Sequence, residues 1–564
     1  MSLDRNEHQA FPDFKDNRKP CASTQVVNPV DPSEYALEVD DEQAPPAQLQ
    51  QSFSGMAAFG FCFAVLNTWV VLLAGLGAGL SSGGPTALIW GFVYAIVCNL
   101  ALTLSLSEVF SVYPTAGGQY HWAAILTSPR RSAMAAWFTA LINLGGLWAG
   151  VATQAYLASN MIVVMSLVNE TDWVPTPGEQ YAIYLGIIVF GLGSSLVSGI
   201  KFTRRLDSSM TWVSILGLAA FAITILAMAK PKASASFVFT GVYNFSGWNS
   251  TAIAWLIGLL NSSFAFVGFD LVFHISEEIP DAKRKGPQIL NATVIVGGIT
   301  GMFCLLSLLF CLSDIEAGLG TAYGFVGREL DSIALTLIGL RCGRLPFAQI
   351  CMDATGSKAA TTVFLIIPTL LLCYGSRGCQ LTASRIMLSL GRDSGLPWSH
   401  SFTKIRSGEP YVGLIVSSVV PLLAGLVQIR ATSAFNSLLG TAVILLQASY
   451  VIPVVLIMFG GRSQLDSTHP DRLWNLGRFG LPCNVIACFF VVQSIVIYCF
   501  PATQPVTATS MNYVSAFVGG YLVILTALWY GWMRKRFRGP SEIEIQAVVD
   551  RCSLPKSEVV RGYE

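Results

Sequence analysis

Charge is what this 564-residue sequence has least of: Asp, Glu, Lys and Arg make up 12% of it. That is about half the ~25% usual in soluble globular chains. So few charges cannot cover the three or four water-soluble domains that the length suggests at roughly 100–200 residues each. Thirty-four Lys and Arg against 33 Asp and Glu leave a formal net charge of +1, with no basic field to gather nucleic acid. Histidine is scarce, with five in the chain, and neither a Ser/His/Asp arrangement nor a metal-ligand spacing can be assembled. An enzyme is therefore disfavoured, and no catalytic residue, metal or cofactor is expected. The 13 cysteines form no CxxC motif and lie largely in apolar runs, as at Cys62, Cys98, Cys304 and Cys488. They read as buried free thiols rather than a disulfide or zinc framework. Residues 1–50 hold no apolar stretch resembling a signal peptide and are broken by Pro12, Pro20, Pro29, Pro32, Pro45 and Pro46. They are expected to be a disordered tail on the side where the chain was made.

What is abundant is apolar residues, 53% of the chain, with a mean hydropathy of +0.57. Long apolar runs fall at about 53–76, 85–111, 132–168, 181–199, 207–229 and 251–275. Six more fall at about 287–313, 360–385, 411–429, 434–459, 481–500 and 511–533. Each reaches the ~17–20 residues needed to cross ~30 Å of hydrocarbon. In lipid every backbone group must be satisfied internally, so only helices or closed barrels span, and these runs are too long for barrel strands. The expectation is an all-α membrane protein of twelve transmembrane helices within residues 51–533, followed by a C-terminal tail at 534–564.

Basic residues orient such a bundle. The loops after even-numbered spans carry 15 Lys and Arg, those after odd-numbered spans 7, and the two tails add 11 on the even side. The even side is therefore expected to be cytoplasmic, with both termini inside. Glycosylation sequons at Asn169, Asn244 and Asn249 fall in loops this places outside. The cluster Arg534, Lys535, Arg536 and Arg538 reads as a stop-transfer flank.

A charge at mid-bilayer costs at least ~2.5–3.5 kcal/mol on insertion scales, so each one needs a reason. Glu108 lies near the inner end of the second span, and Arg377 lies in the eighth. Asp270 follows Phe264-Ala265-Phe266-Val267-Gly268-Phe269 in the middle of the sixth span, with His274, Glu277 and Glu278 after it. Glu108, Glu277 and Glu278 can equally sit at the interface, solvated or paired with loop arginines. The first span carries Asn67 and Thr68 at its centre, between Leu66 and Trp69, and Gly75, Gly77 and Gly79 loosen its outer end. Polar residues there can be helix–helix glue. Breaks five helices apart are also what a transporter built from two inverted five-helix repeats requires. Bare N–H groups at a half-helix start can hold a carboxylate, and bare carbonyls at a half-helix end can hold an ammonium.

Several motifs resemble the amino acid–polyamine–organocation superfamily. They are Ser82-Gly83-Gly84-Pro85, Glu108 followed by Tyr113-Pro114-Thr115-Ala116-Gly117-Gly118-Gln119-Tyr120, and Phe266-Val267-Gly268-Phe269-Asp270 with His274-Ile275-Ser276-Glu277-Glu278. Ser384-Arg385 followed by Gly391-Arg392-Asp393-Ser394-Gly395-Leu396-Pro397 belongs with them. Pro505-Val506 and Met511-Asn512-Tyr513 are similar to the fungal amino acid/choline transporter branch, which includes GABA and choline permeases. The resemblance covers about residues 52–540.

That resemblance implies ten helices in two inverted repeats, here about 53–229 and 251–459, with discontinuous first and sixth helices and two peripheral helices over 481–533. It also implies alternating access driven by an ion gradient. Carried over by position, Asn67, Thr68 and Trp69 line the first break, Phe264 is the lid over the substrate, and Gly268 and Asp270 lie at the second break. Trp148 and Gln154, with Tyr374 and Gln380, are further pocket-wall candidates. Pro114, Gly117 and Gly118 shape the inner loop; Arg385, Arg392 and Asp393 read as inner-gate or folding contacts. Some relatives carry a lysine in the fifth helix where sodium-coupled members bind an ion, but residues 207–229 contain no Lys or Arg. Proton coupling is expected, with Asp270, Glu108, His274 or Glu277 as carrier. Residues about 325–344 match nothing in the family pattern and read as an insertion or a gene-model artefact.

The leading expectation is a secondary active importer of a small amine-bearing solute: an amino acid, GABA or choline. It would sit in the lipid bilayer, expected to be the plasma membrane, with H+ as the coupling ion. A transporter-like nutrient sensor and an ion channel are the alternatives. The tails contain no apparent signalling domain, and no pore-lining ring is visible.

Overall fold

The computed structural model describes residues 54–169, 175–197, 199–312, 315, 345–406, 408–430, 432–507, 510–541, 545, 546 and 549. The expected N-terminal tail, the unmatched 325–344 segment and residues 550–564 of the C-terminal tail lie outside the described residues.

Regular structure among the described residues is helical, with two isolated bridges, Ser82 to Asn244 and Arg406 to Glu409. Ten helices are long and apolar enough to cross a membrane by length and composition, and two shorter apolar ones cover Thr251–Phe264 and Tyr411–Val427. The chain begins with α1 (Gly55–Leu66), α2 (Thr68–Ala74), α3 (Leu76–Ser81) and α4 (Gly84–Phe110). The short α5 (Gln119–Ile125) precedes α6 (Pro129–Asn169), α7 (Pro177–Val197) and α8 (Gly199–Met228). Next come α9 (Ala235–Thr240), α10 (Thr251–Gly258), α11 (Leu260–Phe264), α12 (Leu271–His274) and α13 (Ala282–Cys311). After α14 (Pro346–Thr355), the long α15 (Lys358–Arg392) and α16 (Ser399–Phe402) lead to α17 (Tyr411–Arg430). The chain closes with α18 (Thr432–Leu456), α19 (Arg462–Thr468), α20 (Gly480–Ile497) and α21 (Val514–Gly531).

Helix identity follows from composition, whereas position in the bundle does not. The most apolar 18-residue stretch of Gly55–Ala74 is 83% buried, that of Pro177–Val197 33% and that of Val514–Gly531 17%. The first is therefore a core element, while α7 and α21 present Phe190 and Val523 outward, as lipid-facing helices do. At the centre α6 packs against both α15 and α18, and α4 against α13.

Two spans are interrupted. The first stops at Asn67, whose φ of 52° and ψ of 38° put it in the left-handed region. A second bend follows at Gly75, where a side chain would collide with Asn261. In the sixth span, helix ends at Phe264, residues 265–270 form turns, and α12 resumes for one turn only. Gly268 within those turns has φ of 108°, a value only glycine adopts without strain.

Candidate substrate and coupling site

The two interruptions meet. Thr68, the first residue after the break in the first span, donates its hydroxyl to the carbonyl of Ala265 at 3.0 Å. On the far side of Thr68, Asn261 of α11 donates to the carbonyl of Leu72 at 3.4 Å. A break frees main-chain groups from the i to i−4 ladder, and each must find another partner. Here one break supplies part of what the other lacks.

Asp270 closes the turns of the sixth span and is completely buried. Its Oδ1 accepts from the Tyr450 hydroxyl of α18 at 2.7 Å. Its Oδ2 accepts from Gln119 of α5 at 3.0 Å and Asn143 of α6 at 2.9 Å. His274, one turn on, places Nε2 3.5 Å from the same oxygen. The other ring nitrogen, Nδ1, lies 2.8 Å from the Ala116 carbonyl oxygen. A carbonyl can only accept, so Nδ1 carries the hydrogen. In the neutral ring Nε2 then turns a lone pair toward the carboxylate, and one added proton converts that contact into an ion pair. Tyr450 also receives the amide of Gly268 at 3.3 Å and lies under Phe269 with ring centres 4.5 Å apart. Four elements thus converge on this carboxylate, α5, α6, α12 and α18, none bringing a Lys or Arg of the described residues into hydrogen-bonding contact with it.

The remaining predicted site residues divide. Asn67 is 1% exposed, and neither end of its amide finds a hydrogen-bond partner among the described residues. Phe264 is buried at the end of α11, immediately before the turns. Trp69 points instead to α8, donating Nε1 to Ser214 at 2.9 Å. Gln154 lies against Gly375 of α15, where a Cβ would displace its amide, and donates to Cys379 at 3.6 Å. Cys379 and Cys62 are both within electrostatic reach of Asp270, so this wall of the bundle borders the site. Trp148 is partly buried, and its Nε1 has no partner among the described residues.

Tyr374 and Gln380 are placed elsewhere. Tyr374 donates to Asp207 at 2.8 Å. Gln380 donates to the Ile188 carbonyl at 3.2 Å and to Ser418 at 3.1 Å, facing α7 and α17. Glu108 is held by Arg462 with contacts of 3.0 and 2.5 Å, by the Leu476 amide at 3.0 Å and by Arg472 at 3.5 Å. Glu277 pairs with Arg392 at 3.2 Å and accepts from the Ala116 amide at 3.3 Å. Both carboxylates have fixed cationic partners, unlike Asp270.

Three partners of Asp270 are not among the predicted site residues. Gln119 stands inside the Tyr113–Tyr120 motif, and Asn143 is one of three amides, with Gln154 and Asn160, in the apolar third span, so both left a signal. Tyr450 left none. Asp207 is 1% exposed and faces Arg377 at 3.8 Å. The fifth span thus lacks a cation, and one stands across from it on the eighth.

An all-helical bundle of this kind, with two broken helices meeting over a buried carboxylate, defines a multi-pass membrane protein of the transporter class. Residues 53–525 match the family described as amino acid permease, and the chain belongs to that family. It is 29% identical over 506 residues to a swainsonine transporter of Arthroderma benhamiae, covering 88% of this chain and 94% of that one. It is 27% identical over 524 residues to a choline transporter of Saccharomyces cerevisiae, covering 92% and 87%. An amino-acid permease of Arabidopsis thaliana is 26% identical over 509 residues, covering 87% and 94%.

Proposed function

We propose that this chain is a secondary active importer of a small amine-bearing solute, an amino acid, GABA or choline, coupled to protons and working by alternating access. The observation that carries the reading is the Thr68 to Ala265 hydrogen bond joining two broken helices beside the buried Asp270. A solute held between two breaks can be exposed to either side by small movements of the half-helices. An ammonium would be met by bare carbonyls there, and a carboxylate by bare amides and by Asn67. The relatives named for choline and for amino acids fall on both sides of that choice.

Twelve crossing helices, ten of them in two inverted repeats at about 53–229 and 251–459 and two peripheral over 481–533, are part of the proposal; the ten long and two short apolar helices support it. Cytoplasmic termini are part of the proposal, on the excess of Lys and Arg on the even-numbered side, as is residence in the plasma membrane. For the coupling proton, the Asp270–His274 pair is favoured over Glu108 and Glu277, because those two already face arginines. Uptake of radiolabelled choline, GABA and alanine into cells expressing the chain, with and without a proton uncoupler, tests the reading. Saturable accumulation of one of them that collapses with uncoupler is expected. Saturable uptake indifferent to uncoupler removes proton coupling, and no uptake of any amine removes the carrier.

A further inference from the structure

On the side where Arg385 sits, one guanidinium serves two buried carboxylates. Arg385 of α15 donates Nε to Glu278 at 2.9 Å, just past the end of α12. Its NH1 lies 3.4 Å from Glu409, in the loop between α16 and α17. Glu278 and Glu409 are 0% and 1% exposed. Glu409 is turned into the bundle by its own backbone. Arg406 and Glu409 exchange two main-chain hydrogen bonds of 2.9 and 3.0 Å across a tight turn, with Gly408 at φ of 85°. Neither oxygen of Glu409 accepts a hydrogen bond from a described residue.

Among the described residues the next charges are Arg377, which faces Asp207 at 3.8 Å and also acts on Glu409, and Asp207 itself, whose Oδ1 receives Tyr374. Arg377 is thereby engaged by another carboxylate. Arg385 cannot give up its proton, and two adjacent ionised carboxylates sharing one buried cation leave an excess negative charge without water. Burial of an uncompensated carboxylate costs several kcal/mol, and a group so placed neutralises instead. Glu278 has the direct hydrogen bond, so Glu409 is the member that takes the proton. Burial pushes the Glu409 carboxyl above the usual carboxylate range, against the opposing pulls of Arg385 and, more weakly, Arg377, and the charge of Glu278 pushes the same way as burial.

We propose that Glu409 is a proton-binding residue, neutral in the arrangement seen here, whose ionisation competes with Glu278 for Arg385. When its O–H bond breaks, the proton leaves to water on the basic face and the carboxylate draws the guanidinium toward the 406–409 turn. Glu278 then loses part of its partner, and the end of the sixth span is released from α15. Binding the proton restores Arg385 to Glu278 and fastens that segment again. Placing this latch on the inner side rests on the orientation proposed above; the protonation of Glu409 does not.

The test uses the purified full chain and infrared difference spectra across an acid-to-alkaline titration. A protonated-carboxyl C=O band is expected in the wild type, absent from Glu409→Gln, and present in Glu278→Gln with its midpoint moved to lower pH, since the competing charge is gone. An unchanged band in Glu409→Gln overturns the assignment. Should Glu409→Gln fail to insert, Glu409→Asp keeps the acid one methylene further from Arg385 and is expected to shift the midpoint of the band; an unshifted midpoint overturns it as well. Transport supplies the second arm, with labelled choline, GABA or alanine in proteoliposomes of varied internal pH. Glu409→Gln is expected to lose the dependence of turnover on internal pH while its half-saturating concentration stays put. Retained dependence on internal pH overturns the latch. Uncoupler-insensitive uptake by the wild type would instead strike the proton-coupled carrier reading and leave the infrared result standing.

Discussion

At the scale of single residues, the site is organised by one side chain that four others address. Asp270 accepts three hydrogen bonds, from Tyr450, Gln119 and Asn143, and has His274 Nε2 beside it at 3.5 Å. Asp270→Asn would turn an amide N–H toward groups that themselves donate, and hydrogen bonds to a charged group contribute about 1.5–3 kcal/mol each. The variant is expected to reach the membrane yet lose most uptake. Wild-type uptake rates in it would remove Asp270 from the site. Phe264 is buried against the turns but makes no hydrogen bond with its ring, so its loss acts through shape. Phe264→Ala is expected to raise the half-saturating substrate concentration with a smaller change in maximal rate. An unaltered concentration dependence would reduce Phe264 to packing.

At the scale of elements, each break has a local cause and a distant consequence. Asn67 can sit in the left-handed region because its short polar side chain tolerates it, and the helix cannot run through. Gly268 holds φ of 108°, yet a side chain there would meet only Leu271 at an ordinary 3.7 Å. The penalty of Gly268→Ala is therefore conformational rather than steric, on the order of 1–2 kcal/mol. That variant is expected to insert normally and to carry substrate more slowly, as the turns between α11 and α12 shift toward helix. Transport at the wild-type rate with an unchanged melting temperature would refute the need for glycine. The same scale explains Gln154: Gly375 leaves the space it fills, so α6 and α15 approach closely beside the site.

At the scale of the whole molecule, ion pairs tie the helix ends together: Arg385 with Glu278 and Glu409, Arg392 with Glu277, and Arg462 with Glu108. Removing one partner from a buried pair strands the other and costs about 3–5 kcal/mol. Arg385→Ala is expected to lower the melting temperature of the detergent-solubilised chain far more than Arg392→Ala, whose pair is partly exposed. Equal shifts in the two would contradict the burial of Glu278 and Glu409 as the cause.

The sequence by itself determined that this chain is a helical membrane protein, where its apolar runs begin and end to within a few residues, and that the first and sixth spans carry anomalous groups. Those properties follow from composition and from the thickness of hydrocarbon, and both are local. It also singled out Asp270 and His274, since a charge in an apolar run is visible without a fold. Only the tertiary structure decided which polar groups answer one another. Gln119, Asn143 and Tyr450 come from three separate stretches, and nothing in their spacing says that they share a carboxylate. For the same reason Gln380 and Tyr374 fell to other helix contacts, and Glu409, an ordinary loop residue by sequence, became a buried acid. Partnership in a low-dielectric interior is set by which helices touch, and that contact is a property of the folded bundle rather than of any segment in it.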